Sequence, residues 1–166
     1  VAAFTMIHSV SLPLVGGWLG GSLIFSLWSY NQFRRLPLGD PKLSGVAEYH
    51  LCNRHGFYSA LLWGLPFWLQ GLTPTLDHVL SMWTIAVLMM VTLAIVAHSV
   101  PMACILFIAP VTLSAATALV RAGAPQLAAV ALVAGLLLCG FCIRFAQNHI
   151  RYRRAEETLH EKTETV

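Results

Sequence analysis

Charge is what this sequence has least of. Only 10% of its 166 residues are Asp, Glu, Lys or Arg, against roughly 25% in an ordinary soluble domain. Between Gly56 and Val120 there is no Lys or Arg, and Asp77 is the only acidic residue. A chain so poor in charge cannot cover itself with a polar surface, which excludes a free-standing soluble enzyme. The net charge of +3 is too small and too scattered to suggest a nucleic-acid partner, because the basic residues sit beside apolar runs, where membrane topology accounts for them. Cysteine is also sparse. Cys52, Cys104, Cys139 and Cys142 do not make the dense framework of a small secreted domain. Cys139 and Cys142 form a C-x-x-C, but it lies in an apolar helix with no βαβ pattern around it, so small-residue packing is the simpler reading.

What is abundant is apolar length. Hydrophobic residues make up 57% of the chain, and five long runs stand out: Leu12 to Tyr30, Phe57 to Leu72, Val79 to Ala97, Met102 to Val120, and Gln126 to Ile143. Most approach the ~20 residues that a ~30 Å hydrocarbon layer requires. The second is short, and the amphipathic stretch from Val46 to His55 begins the same helix. Pro74, Pro101, and Gly123 with Pro125 punctuate the gaps, with Thr75 or Asp77 placed to cap the third helix. Pro66 and Pro110 fall inside helices and should bend them. Bundles tolerate this where a neighbour satisfies the freed carbonyl. Val1 to Val10 is apolar too, and reads either as the end of a truncated first span or as an interfacial segment. The expected fold is therefore all-α: a polytopic transmembrane bundle over residues 1–143, with five clear spans and a truncated first one, followed by a juxtamembrane helix over 144–166.

Orientation follows the basic residues. With alternating spans, Arg34, Arg35, Lys42, Arg54, Arg144, Arg151, Arg153, Arg154 and Lys162 share one side, and only Arg121 lies opposite. Nine to one places the Asn31–Gly56 loop and the C-terminus in the cytoplasm.

Candidate functional residues are few. Gly16, Gly17, Gly20 and Gly21 form two overlapping G-x-x-x-G patterns, which suit either a dimer seam or close packing within one bundle. His55 opens the second helix and His98 ends the third on the same side, and the two could ligate a haem; His8, Asp77 and His78 gather near the other face and could hold a metal or a proton. All stand near helix ends, where a histidine is easily solvated, so no cofactor is expected. Trp18, Trp28, Tyr30, Tyr58, Trp63, Trp68 and Trp83 fall mostly near span boundaries, the usual place for amphipathic rings. The bundle centre lacks ionisable groups, which argues against an ion-coupled transporter.

The tail is the most informative segment. After Gly140 there is neither Gly nor Pro, and Phe145, Asn148, Tyr152, Ala155, Leu159, Lys162 and Val166 recur at spacings of three and four. That is an imperfect heptad seam, with Tyr152, Ala155, Leu159 and Val166 as its pairing positions in a homodimer. Glu157 lies four residues from Arg153, outside the seam.

The segments Phe33-Arg34-Arg35, Ala47-Glu48-Tyr49-His50 and Leu61-Leu62-Trp63-Gly64-Leu65-Pro66-Phe67-Trp68, with the tail from Arg153 to Val166, resemble the membrane input region of proteobacterial signalling proteins. Such proteins carry cyclic-di-GMP synthase, phosphodiesterase or histidine kinase domains, often behind a PAS domain. The resemblance implies an inner-membrane sensor and dimerisation domain feeding a cytoplasmic output domain beyond Val166. It transfers no catalytic residue. The alternatives are a stand-alone haem or redox membrane protein using His55 and His98, and a small transporter.

Overall fold

The computed structural model describes residues 12–35, 41–70, 74–96 and 100–164, apart from the side chains of residues 41–46, 96, 149–150 and 152–164. The described residues hold helices and turns and no strand. Five helices follow in order: α1 (Leu12–Arg34), α2 (Pro41–Leu69), α3 (Leu76–Val96), α4 (Pro101–Arg121) and α5 (Pro125–Glu164). Residues 1–11, on which the truncated first span was placed, lie outside the described residues.

The punctuation acts as its chemistry dictates. Pro101 opens α4, where its missing N–H costs nothing. The α4–α5 turn is a Schellman motif. Gly123 takes φ 77°, Ala124 N–H donates to the Leu119 carbonyl (2.9 Å) and Gly123 N–H to that of Val120 (3.0 Å). Pro125 then starts α5. At the head of α3 the Thr75 carbonyl accepts from Val79 N–H (3.2 Å), which makes Thr75 the capping position. Its hydroxyl bonds Nδ1 of His78, and Asp77 falls within the first turn.

α4 is the centre of the molecule. Its buried residues, among them Ala103, Phe107, Ile108, Val111, Ala115, Ala116 and Leu119, cover more than half of the helix surface. α2 packs parallel to it and α3 and α5 pack antiparallel. α3 offers Val79, Met82, Ala86, Met90 and Ala94, a stripe at helical spacing. α5 offers Ala128, Ala131 and Cys142. α1 sits outside, against α2, with only Val15 and Trp18 buried.

Close approach is made by small residues. A Cβ on Gly56 would stand 2.4 Å from the Ala103 carbonyl oxygen, one on Gly64 2.9 Å from Ser114 Oγ, and one on Gly135 2.5 Å from the Thr112 methyl group. Backbones this close gain dispersion contacts where lipid removes any hydrophobic drive for helices to associate. The outward faces are correspondingly apolar: Leu136 is 72% exposed, Leu137 70% and Ile24 69%. Such a surface needs lipid around it. Serines and threonines in these helices return their protons to the carbonyl one turn back, as Ser22 does to Trp18, Ser81 to Asp77, Thr84 to Leu80 and Thr92 to Leu88.

Among the described residues, four helices are long and apolar enough to cross a membrane: α1, α3 over Leu76–Ile95, α4, and α5 over Pro125–Asn148. This is one fewer than the five clear spans the hydropathy runs suggest. The missing one is α2. Glu48, Asn53 and Arg54 occupy its first half, and the apolar part from Phe57 to Leu69 falls short of ~20 residues.

Candidate functional site

The site lies where α1 to α4 meet, around His55. Its ring is enclosed on the α1 side by Phe25 (5.5 Å between centroids), Trp28 (5.1 Å) and Phe33 (5.1 Å, stacked). Residue 55 is only 8% exposed. Nδ1 is 2.6 Å from Ser29 Oγ, while Nε2 is buried without a hydrogen-bond partner among the described residues.

Proton counting favours one tautomer. Ser22 and Ser26 donate to carbonyls one turn back, at 2.8 Å each, but Ser29 has turned to His55 instead. If Nδ1–H donated to the hydroxyl, the Ser29 proton would have no acceptor among the described residues. If the hydroxyl donates to Nδ1, every proton on that side is used and Nε2 carries the ring hydrogen. His55 stands just before the apolar run that begins at Phe57. Burial, and after it the Arg54 charge, holds its pKa below the usual histidine range, so the ring is neutral at pH 7.

Beside the ring is a cavity of about 280 Å³, near the lower end of small-molecule sites (~300–1,000 Å³). Its walls include Phe33, Cys52, Ser59, Trp63, Met89 and Phe107, with the Gly56–Ala103 contact at its base. No charged side chain is among these lining residues. Burial, and then Glu48, pushes the Cys52 thiol up, which keeps it protonated. Next to it, on the Arg34 side, a wider hollow of about 600 Å³ has a mixed lining, with Arg35, His50, Asn53 and Arg54 beside Leu51 and Phe57. Arg54 also lies over the Trp28 ring at 5.4 Å.

The other anticipated residues are placed as follows. His98, the expected partner of His55, lies outside the described residues, as does His8. Asp77 and His78 sit in the first turn of α3 at the opposite end of the bundle. Nothing lies within 4 Å of a Cβ added to Gly16, Gly17 or Gly20, and Gly21 would meet only Leu62 Cδ1 at 3.9 Å. These glycines do not seat another described helix. The glycines that do are Gly56, Gly64 and Gly135, and each interrupts an apolar helix at a cost of about 1 kcal/mol relative to Ala, which is the signal that marks a close approach. α5 carries Tyr152, Ala155 and Leu159 on a continuous helical backbone, with their side chains outside the described set; Val166 lies outside it altogether. Cys104 and Cys142 meet across α4 and α5, both buried, and neither is in a disulfide.

At the far end of α2, Arg121 donates to the Phe67 carbonyl at 2.7 Å and covers the Trp68 ring at 5.0 Å. Midway, Trp18 Nε1 donates to the Leu62 carbonyl at 2.8 Å. That carbonyl is the one freed by Pro66, whose nitrogen has no hydrogen to return to position 62.

Comparison with known proteins finds no matching family model, no matching curated protein and no matching solved structure.

Proposed function

We propose that this chain is the sensory and dimerising membrane region of a bacterial signalling protein, passing a change in bundle packing to a cytoplasmic output domain of the cyclic-di-GMP or histidine kinase type. The observation that carries the reading is α5. It starts at Pro125 in the bundle, packs on α4, and runs as one helix of 40 residues to Glu164, well past its apolar span. A helix of that length has little intrinsic reason to persist alone in water, so its polar half needs a partner. Pairing Tyr152, Ala155, Leu159 and Val166 across a two-fold axis supplies one. A stimulus acts by binding two packings of the bundle unequally. The likeness of the Phe33–Arg35, Ala47–His50 and Leu61–Trp68 segments to bacterial input regions points the same way.

In this reading α2 is the fifth crossing. Its short apolar half packs on α4 from the Gly56–Ala103 contact to the Phe67–Arg121 bond, and α4 supplies the burial its own composition lacks. Five crossings with the nine-to-one basic distribution put the Arg34 loop and the C-terminus in the cytoplasm of the inner membrane. Reporter fusions in the Asn31–Gly56 loop and after Val166 should both report cytoplasm. A periplasmic signal from either would overturn the orientation.

The dimer is tested by cross-linking in native membranes, with the four native cysteines replaced. Ala155→Cys and Leu159→Cys should cross-link readily between protomers, and Glu157→Cys at least several-fold less. Equal yields at all three, or none at any, would remove the physical basis of the signalling role.

A further inference from the structure

We propose that the cavity beside His55 binds a neutral, lipid-soluble molecule whose planar head presents a carbonyl oxygen to Nε2–H, a quinone-type head group being the membrane source of that chemistry. The inference deepens the sensory reading and rests on it only for the consequence of binding. Occupancy itself is measured independently of dimerisation.

Four observations converge on this class. His55 is more than nine-tenths buried, and its ring edge away from Ser29 carries an unpartnered Nε2. A buried donor without an acceptor costs on the order of 1–3 kcal/mol, and a ligand oxygen would remove that cost. The Ser29 hydroxyl assigns a donor role to Nε2, so the ligand supplies an acceptor. No charged side chain lines the cavity, and the flanking Cys52 is a neutral thiol. An ionic ligand would therefore enter unpaired, which is prohibitive at low dielectric. The wall is aromatic and soft, with Phe33, Trp63 and Phe107 facing Met89, as suits a flat ring. Finally, Met89, within the apolar span of α3, is 41% exposed, so one wall of the cavity belongs to the lipid-facing surface.

Size agrees with a head group rather than a whole amphiphile. At ~30 Å³ per water, 280 Å³ corresponds to about nine water volumes, enough for one substituted six-membered ring with its tail left in lipid.

The test uses the purified chain in lipid nanodiscs and a fully ring-substituted benzoquinone with a short alkyl tail, so that Cys52 has no open ring position to attack. Saturable quenching of tryptophan emission should report binding, because Trp63 lines the cavity. His55→Phe keeps an aromatic ring but removes the donor, and should weaken binding at least tenfold. Ser59→Leu fills the cavity without touching His55 and should weaken it comparably. His50→Phe, in the neighbouring hollow, should leave it unchanged. Should His55→Phe fail to fold, Ser59→Leu and a ring-matched cyclohexane analogue without carbonyls, expected to bind at least tenfold more weakly, carry the decision. Absent or non-saturable quenching, or unaltered affinity in His55→Phe or Ser59→Leu, would overturn the assignment. A tail-less, water-soluble aromatic ketone that binds as tightly as the quinone would overturn the membrane source. Binding without cross-linking at positions 155 and 159 would remove the sensory reading while this site stood; cross-linking without binding would do the reverse.

Discussion

Gly56→Ala should lower the melting temperature of the detergent-solubilised protein by roughly 2–8 °C, taking an overpacking cost of about 2–3 kcal/mol, less about 1 kcal/mol of helix propensity, and the temperature dependence usual for this chain length. The added methyl would stand 2.4 Å from the Ala103 carbonyl oxygen and 3.1 Å from its Cα. Both are backbone atoms of the central helix, so no side chain can swing away. Ordinary contact begins near 3.4 Å, and α2 must retreat from α4 by about 1 Å along a seam held mainly by dispersion. The gain in helix propensity, about 1 kcal/mol, offsets only part of this. Gly17→Ala is the matched control. It receives the same propensity gain and meets nothing within 4 Å, so its melting temperature should hold or rise. Equal behaviour of the two variants would mean that α2 and α4 are not in contact at Gly56. A loss at Gly17 that appears only in the dimer would instead place the G-x-x-x-G face at a seam between protomers.

Trp18→Phe should cost about 1–3 kcal/mol, the penalty of leaving a buried carbonyl without a donor. The edge-to-face packing of Trp18 on Trp63, at 5.7 Å and 89°, can be kept by a smaller ring. What is lost is the indole N–H that serves the Leu62 carbonyl. The origin of the penalty is Pro66, so a second substitution discriminates. Pro66→Ala returns a backbone N–H to position 62, and in that background Trp18→Phe should be nearly neutral. The coupling read from the double-mutant cycle should be at least about 1 kcal/mol. Strict additivity would mean that Trp18 stabilises the α1–α2 contact by packing alone.

These two contacts show where the sequence was readable. Period and punctuation located the helices: the Gly123–Pro125 turn and Pro101 at the head of α4 are local chemistry, and they form as expected, whereas the Thr75 hydroxyl bonds His78 in place of a backbone N–H. The need of Pro66 for an outside donor was also legible, but not its source, because Trp18 is 44 residues away and its indole reads equally well as a membrane anchor. The glycines were harder. Gly16, Gly17, Gly20 and Gly21 form a recognisable pattern, yet only Gly21 comes near a described helix, at 3.9 Å from Leu62, whereas the isolated Gly56, Gly64 and Gly135 carry the close packing. A helix sequence does not say which face a neighbour will occupy. The count of spans differed for a similar reason, since α2 draws its burial from α4 and hydropathy scores each helix alone. At the site, His55 stood out as a histidine at a helix end. Ser29 and the cavity walls did not, because they come from four helices and meet only in the folded bundle.

The unbroken course of α5 has a mechanical consequence. From Asn148 to Glu164 the helix advances about 24 Å at 1.5 Å per residue. With no proline after Pro125 to act as a joint, that length is a stiff lever hinged at the bilayer face. A tilt of about 10° within the bundle sweeps its far end through roughly 4 Å, close to one helical pitch of ~5.4 Å. On the bundle side the arm from Asn148 to Gly135 is about 20 Å long, so under the proposed signalling role a shift of α5 against Thr112 at Gly135 would reach the far end at about its full size.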